Sequence, residues 1–158
     1  MSRNIIVGIG ELFVATYPNT LQALGLGSCV GLTLYDPIAK IGGLAHIMLP
    51  DSGGNGNDLR GKYADVATVN LLNDMMMLSA KKERIVAKLV GGASMFTLKN
   101  DVFRIGEKNV SATKKALKEL GIAIVAEEVG GTIGRTATLY TDTGDVEVKA
   151  VNKEPKKI

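Results

Sequence analysis

An α+β fold, two helices laid over a mainly antiparallel or mixed sheet, is what this sequence predicts. Two stretches carry apolar residues at steps of three and four, eight others are short and β-branched or alternating, and the strands come first with helices interspersed late. Ala64, Ala67, Leu71, Met75 and Leu78 draw one apolar stripe from about residue 62 to 82, which predicts the first helix. Ala112, Ala116 and Leu120, with Leu117 alongside, predict a second that stops at Gly121, a residue suited to the position after a helix. Met75-Met76-Met77 reads as adaptable core filler.

Strands are predicted at Asn4–Val7, Glu11–Thr16, Cys29–Asp36, Ile41–Leu49, Ile85–Val90, Ile122–Glu127, Ala137–Thr141 and Val146–Val151. Asp142-Thr143-Gly144-Asp145 supplies a hairpin turn for the last two, and Pro50–Gly61, with its four glycines, is a loop. With 158 residues and neither a repeat nor a linker-like change of composition, one domain spanning 1–158 is expected.

Composition narrows the function. Apolar residues at 46% and charged ones at 22% exclude a disordered or collagen-like chain. No apolar run approaches the roughly 18 residues of a membrane span, and Met1-Ser2-Arg3-Asn4 lacks the apolar core of a signal peptide, so a cytoplasmic protein without membrane insertion is expected. One cysteine and one histidine exclude a disulfide framework and a multi-thiolate or His-rich metal site. Neither a metal nor a cofactor is expected, since Gly8-Ile9-Gly10 is not followed by the rest of a dinucleotide fingerprint. The net charge of +3 comes from dispersed lysines and a basic tail at Lys153–Lys157, and aromatics are 4%, so nucleic acid is not the expected partner.

Chemistry concentrates in Gly25-Leu26-Gly27-Ser28-Cys29-Val30-Gly31. Glycines before a thiol let backbone N–H groups face a ligand unobstructed, as a cysteine hydrolase requires of its nucleophile and oxyanion donors. His46 lies in an otherwise apolar strand, where a polar ring needs a reason. Asp36-Pro37-Ile38-Ala39 has the residues a type I turn prefers, so Cys29–Asp36 and Ile41–Leu49 form a hairpin. With Asp36 facing Ile41, Gly31 faces His46 and Cys29 faces Met48. Thiol and ring then become diagonal neighbours on one face, about 7–8 Å apart between Cα atoms, with Gly31 leaving space between them. Such an imidazole would take the thiol proton and later protonate a leaving group, which points to acyl transfer to water through a thioester.

The segments Gly25–Val30, Leu34–Pro37 and Ala45–Ser52 occur in one order with Lys62-Tyr63-Ala64-Asp65, Gly91 to Phe96, Ile105-Gly106 with Asn109, and Glu127 through Gly131. Together they resemble the chemoreceptor glutamine deamidases of bacterial chemotaxis, the CheD family, over nearly the whole chain. The resemblance implies a layered β-sandwich with helices outside, similar to the catalytic domain of the cytotoxic necrotizing factor toxins. It also implies hydrolysis of selected glutamine side chains on methyl-accepting chemotaxis receptors to glutamate. Cys29 matches the family nucleophile and His46 its general base and acid. The family's third triad member is a threonine six residues before the cysteine, where this sequence has Ala23, so the Ala23 carbonyl or a water is expected to hold the ring. Gly27, Ser28, Asp51 and Ser52 border the expected cleft as substrate-binding candidates, although each also suits a turn. Members commonly bind CheC, a CheY-phosphate phosphatase, as a second partner. Because of Ala23, a non-catalytic receptor- or CheC-binding regulator is the rival reading. Cleavage of receptor methyl esters and transamidation are alternatives for the same thiol.

Overall fold

The computed structural model describes residues 1–54, 59–94 and 104–158. Met95 and Phe96, part of one family-like block, therefore lie outside the described residues. Among the described residues, ten strands form two five-stranded sheets. One contains β1 (Asn4–Ile6), β3 (Thr20–Leu26), β8 (Arg135–Tyr140), β9 (Val146–Lys149) and β10 (Lys156–Lys157), paired in that order. The other is ordered β2 (Leu12–Thr16), β5 (Ile41–Ile47), β4 (Val30–Asp36), β6 (Val86–Gly91) and β7 (Ala123–Val129). Both sheets are mixed, with β1–β3 and β6–β7 parallel and the other pairs antiparallel.

Two apolar clusters make three layers. Leu21, Ala23, Leu26, Ala137, Leu139 and Val148 of the first sheet meet Ala15, Leu44 and Val90 of the second. On the other face of the second sheet, Leu32, Leu34, Ala45, Ile47 and Leu89 pack on helices α1 (Ala64–Met77) and α2 (Ile105–Leu120) through Ala67, Leu71, Met75 and Leu117. β4 and β5 are covered on both faces, and every residue of both strands is buried. A sandwich with two helices outside is the expected architecture.

The differences from the expected elements have local causes. β3 was not expected; Gly25, at φ 61°, marks a register shift between Ala23 and Leu26, and glycines there mask the strand's alternation. α2 begins seven residues before Ala112, because the residues its first turns bury are Gly106 and Asn109, which an apolar periodicity does not register. Of the three methionines only Met75 is in the core; Met76 and Met77 are exposed, since α1 buries one face only. The end of the basic tail is an edge strand, β10, in which Lys156 pairs with Glu128 at 2.6 Å.

The β4–β5 hairpin carries the site, and its turn is held from within. The Ile38 and Ala39 N–H groups donate to Asp36 Oδ1 at 3.0 and 3.1 Å, and Lys40 N–H donates to the Asp36 carbonyl at 2.9 Å. Asp36 Oδ2 accepts from Lys81 N–H at 2.9 Å and from Arg84 Nε and Nη2 at 3.0 and 2.8 Å. Burial pushes the Asp36 carboxyl up, but Arg84 and the three N–H groups outweigh it and hold the group below the usual carboxylate range. This turn fixes the register that brings Gly31 opposite His46, with Asp36 opposite Ile41.

Candidate active site

Cys29 immediately precedes β4, on a short bend that follows β3. Its side chain is half-buried and packs against the cluster between the sheets. His46 lies two residues beyond Leu44 on β5, and side chains two apart on a strand share a face. Leu44 belongs to that same cluster, so the thiol and the ring are on one side of the second sheet, as the hairpin register requires. Gly31 does not leave an open gap. A Cβ there would stand 3.0 Å from a Leu26 methyl and 3.6 Å from one of Leu44, so those two leucines fill the space.

The imidazole has a defined tautomer. Nδ1 is 3.0 Å from the Val7 carbonyl oxygen, and since a carbonyl only accepts, Nδ1 carries the proton. Nε2 is buried and has no hydrogen-bond partner among the described residues, so no hydrogen bond joins the thiol to the ring. Catalytic hydrogen bonds are often long before substrate arrives. Burial lowers the imidazole's pKa below its ordinary value, against smaller upward effects of the Val7 hydrogen bond and the Glu11 carboxylate. Burial also pushes the Cys29 thiol up. The resting pair is therefore neutral thiol and neutral imidazole, with the Nε2 lone pair available as a base.

Ala23 does not hold the ring. It is fully buried in β3 opposite Ala137, and Val7 provides the acceptor that was expected of it or of a water. The Val7 carbonyl carries no sequence signal, because any residue there would supply the same oxygen. The backbone of His46 is fixed from the same segment: its N–H donates to the Glu11 carbonyl at 3.0 Å and its carbonyl accepts from Gly10 N–H at 2.9 Å.

The bend at Gly27, Ser28 and Cys29 is anchored by its carbonyls. Ala93 N–H donates to the Gly27 carbonyl and Gly92 N–H to that of Cys29, both at 2.8 Å. Asn109 Nδ2 donates to the Ser28 carbonyl at 2.9 Å and to the Met48 carbonyl at 3.0 Å. One buried amide on α2 thus joins the chain just before the thiol to the chain just after the ring. Gly106 permits this, since a Cβ there would collide with the Gly92 and Ala93 carbonyl oxygens, and its absence lets α2 settle onto that segment. With the carbonyls turned into the protein, no described residue accepts a hydrogen bond from the N–H of Ser28 or Cys29.

Asp51 and Ser52 serve the turn after β5. Asp51 Oδ1 accepts from Gly53 N–H at 2.8 Å, while Ser52 donates through Oγ to Asp65 at 2.9 Å and through its N–H at 3.1 Å. Asp51 lines a cleft of about 470 Å³ between α1 and α2, with Asp65, Lys108 and Lys115. That cleft lies on the helical side, away from the face that carries His46. The site residues missed by sequence reasoning are Val7 and Glu11; Asn109 was visible only as part of a family-like block.

Among the described residues, no group of three or more His, Cys, Asp or Glu side chains could hold a metal ion. No helix is long and apolar enough to cross a membrane.

Residues 48–150 match the family described as CheD chemotactic sensory transduction. The chain is 45% identical to the chemoreceptor glutamine deamidase CheD of Halalkalibacterium halodurans, with 100% of both chains covered. It is 47% identical to the protein of the same name from Thermotoga maritima, over 92% of this chain and 91% of that one. Among solved structures, a Neisseria meningitidis protein superposes with a TM-score of 0.48 at 10% identity, covering 81% of this chain and 64% of that one. Identity near one half along the whole length, together with the match over 48–150, shows that the chain belongs to the CheD family.

Proposed function

We propose that this chain is a protein-glutamine deamidase that converts selected glutamine side chains of methyl-accepting chemotaxis receptors to glutamate, with Cys29 as nucleophile and His46 as general base and acid. The single observation that carries the mechanism is the His46 ring: Nδ1–H is committed to Val7, and Nε2 is bare on the face that also carries Cys29. Names of close relatives as chemoreceptor glutamine deamidases support the substrate.

In this reading Cys29 Sγ attacks the carboxamide carbon while Nε2 takes the thiol proton. The N–H groups of Ser28 and Cys29, with Gly27 leaving them unobstructed, receive the oxyanion. His46 returns its proton to the departing ammonia, leaving a thioester. It then takes a proton from water, which attacks the thioester carbon; glutamate is released and the thiol regains its proton. No step calls on a cofactor or metal. Asp51 and Ser52 shape the turn beside the helices and have no step.

The whole of 1–158 acts as one deamidase domain on the cytoplasmic part of its receptors. A CheC-type CheY-phosphate phosphatase is the proposed second partner, supported by the family resemblance alone. The experiment is mass spectrometry of purified receptor fragments incubated with this protein, in which each deamidation adds about one mass unit. Wild type should give the increment at discrete glutamines and Cys29→Ala none. Equal modification by Cys29→Ala overturns the nucleophile assignment. No modification by wild type, with receptor binding retained, leaves the non-catalytic regulator.

A further inference from the structure

We propose that Glu11 is the positioning residue that replaces the missing third member of the triad, acting on His46 through the Val7–Gly8 peptide group. The inference rests on His46 being the general base. Its geometry is a chain of two hydrogen bonds across one amide. Glu11 Oε1 accepts from Gly8 N–H at 2.8 Å, and the carbonyl of the same peptide unit, on Val7, accepts from His46 Nδ1–H at 3.0 Å. A carboxylate on the N–H side of a planar amide draws electron density toward the carbonyl oxygen, and linked hydrogen bonds strengthen one another. The Val7 oxygen therefore becomes a better acceptor as the ring gains its second proton. In a serine-type triad the carboxylate touches the imidazole itself, and here a peptide stands between them.

Independent features fix the arrangement. The Glu11 carbonyl accepts from His46 N–H at 3.0 Å, and Glu11 N–H donates to the Gly8 carbonyl at 2.9 Å, so the carboxylate is carried on the backbone that grips the ring's own strand. A Cβ on Gly8 would stand 2.5 Å from Glu11 Oε1, so the glycine leaves room for the carboxylate against its N–H. Val7 is fully buried, which keeps water from competing for the carbonyl. The carboxylate's charge also bears on the ring in the direction that favours imidazolium. Of the other ionisable groups on neighbouring segments, Cys29 shares the ring's face of the second sheet from the bend before β4, and Lys62 lies before α1. Lys62 packs against Gly10 and sets its ammonium 5.4 Å from the Tyr63 ring centre.

Glu11→Gln is the discriminating variant, because it keeps an acceptor for Gly8 N–H and removes the charge. His46 is the only histidine, so its ring resonances titrate without ambiguity in NMR. Glu11→Gln should move the His46 midpoint to lower pH and carry the acid limb of the deamidation profile with it. It should also cut kcat roughly three- to tenfold with KM little changed, a fraction of what a general base supplies. Glu11→Asp, keeping the charge on a shorter arm, should recover part of the loss. A merely structural Glu11 predicts that Glu11→Gln behaves as wild type in midpoint and kcat, and that result overturns the proposal. Deamidation by His46→Gln at the wild-type rate would instead reject His46 as the base, so the two failures are told apart.

Discussion

Alanine stands at position 23, where the family resemblance implies a threonine beside the histidine, yet His46 is held in one tautomer by Val7. Two titrations follow from the burial of this pair. Since burial holds the imidazole below its ordinary value, His46 stays unprotonated until the pH has fallen beneath about 6.5. Deamidation should therefore be at its full rate above that value and fall only below it; a rate already halved at pH 7.5 by protonation contradicts the neutral resting pair. The same depressed value means that the unfolded chain binds its proton first, so stability contributed here is complete above the ordinary imidazole value and declines as pH drops through it. Cys29, pushed up by burial, should react with iodoacetamide slowly at neutral pH and faster as pH rises beyond the ordinary thiol value of about 8.5. As the only cysteine it can be followed by intact mass, and a plateau of reactivity near pH 6 would instead indicate a preformed thiolate–imidazolium pair. Cys29 and His46 were legible in the sequence because each is the only one of its kind and stands where its chemistry is out of place. Val7 and Glu11 were not, because one contributes a backbone oxygen and the other reaches the ring only through a peptide.

Strand pairing was legible where the turn chemistry was local. Asp36-Pro37-Ile38-Ala39 specified the β4–β5 register, and Asp36 turns out to hold that hairpin to the Lys81–Arg84 segment as well. Its carboxylate is fully buried, so Asp36→Ala should cost about 3–5 kcal/mol by leaving Arg84 without its partner, measured by denaturant unfolding. The sign with pH is set by the depressed carboxyl. Its stabilisation is complete above the ordinary carboxylate range and disappears as pH falls through the lower folded value. The wild type should thus lose stability in acid more steeply than Asp36→Ala. Asn109 joins α2 to both halves of the site, and nothing in its spacing advertised this. Asn109→Ala should lower stability by about 1–3 kcal/mol through unpaired Ser28 and Met48 carbonyls. It should lower kcat by about 10²-fold through small displacements of thiol and ring. A stable variant with wild-type kcat would show that the amide only supports the fold. β3 and the first half of α2 escaped the sequence reading for separate reasons. The register shift at Gly25 breaks the alternation of Leu21, Ala23 and Leu26 in β3, and the residues α2 buries first, Gly106 and Asn109, are not large apolar ones.

For the molecule as a whole, three layers divide the work. The helices and the first sheet cover both faces of the second sheet, so a histidine on the interior strand β5 is shielded from water while Cys29, at a strand end, stays partly open. The charge balance was read from the sequence as a solvated surface, and the pairing of Lys156 with Glu128 and of Lys114 with Glu127 agrees with that reading. Layering itself was not derivable from periodicity; the sandwich was implied by the family resemblance alone. A covalent bond between Cys29 and a glutaminyl carbonyl is the step on which the proposed catalysis depends. Acid quenching during turnover of a glutamine-bearing receptor peptide, followed by peptide mapping, looks for that bond. The predicted result is an adduct on the Cys29 peptide with the mass of the substrate less ammonia, about 17 mass units, removed by hydroxylamine and absent in Cys29→Ala. Turnover that proceeds in Cys29→Ala, with no adduct on the wild type, would contradict it.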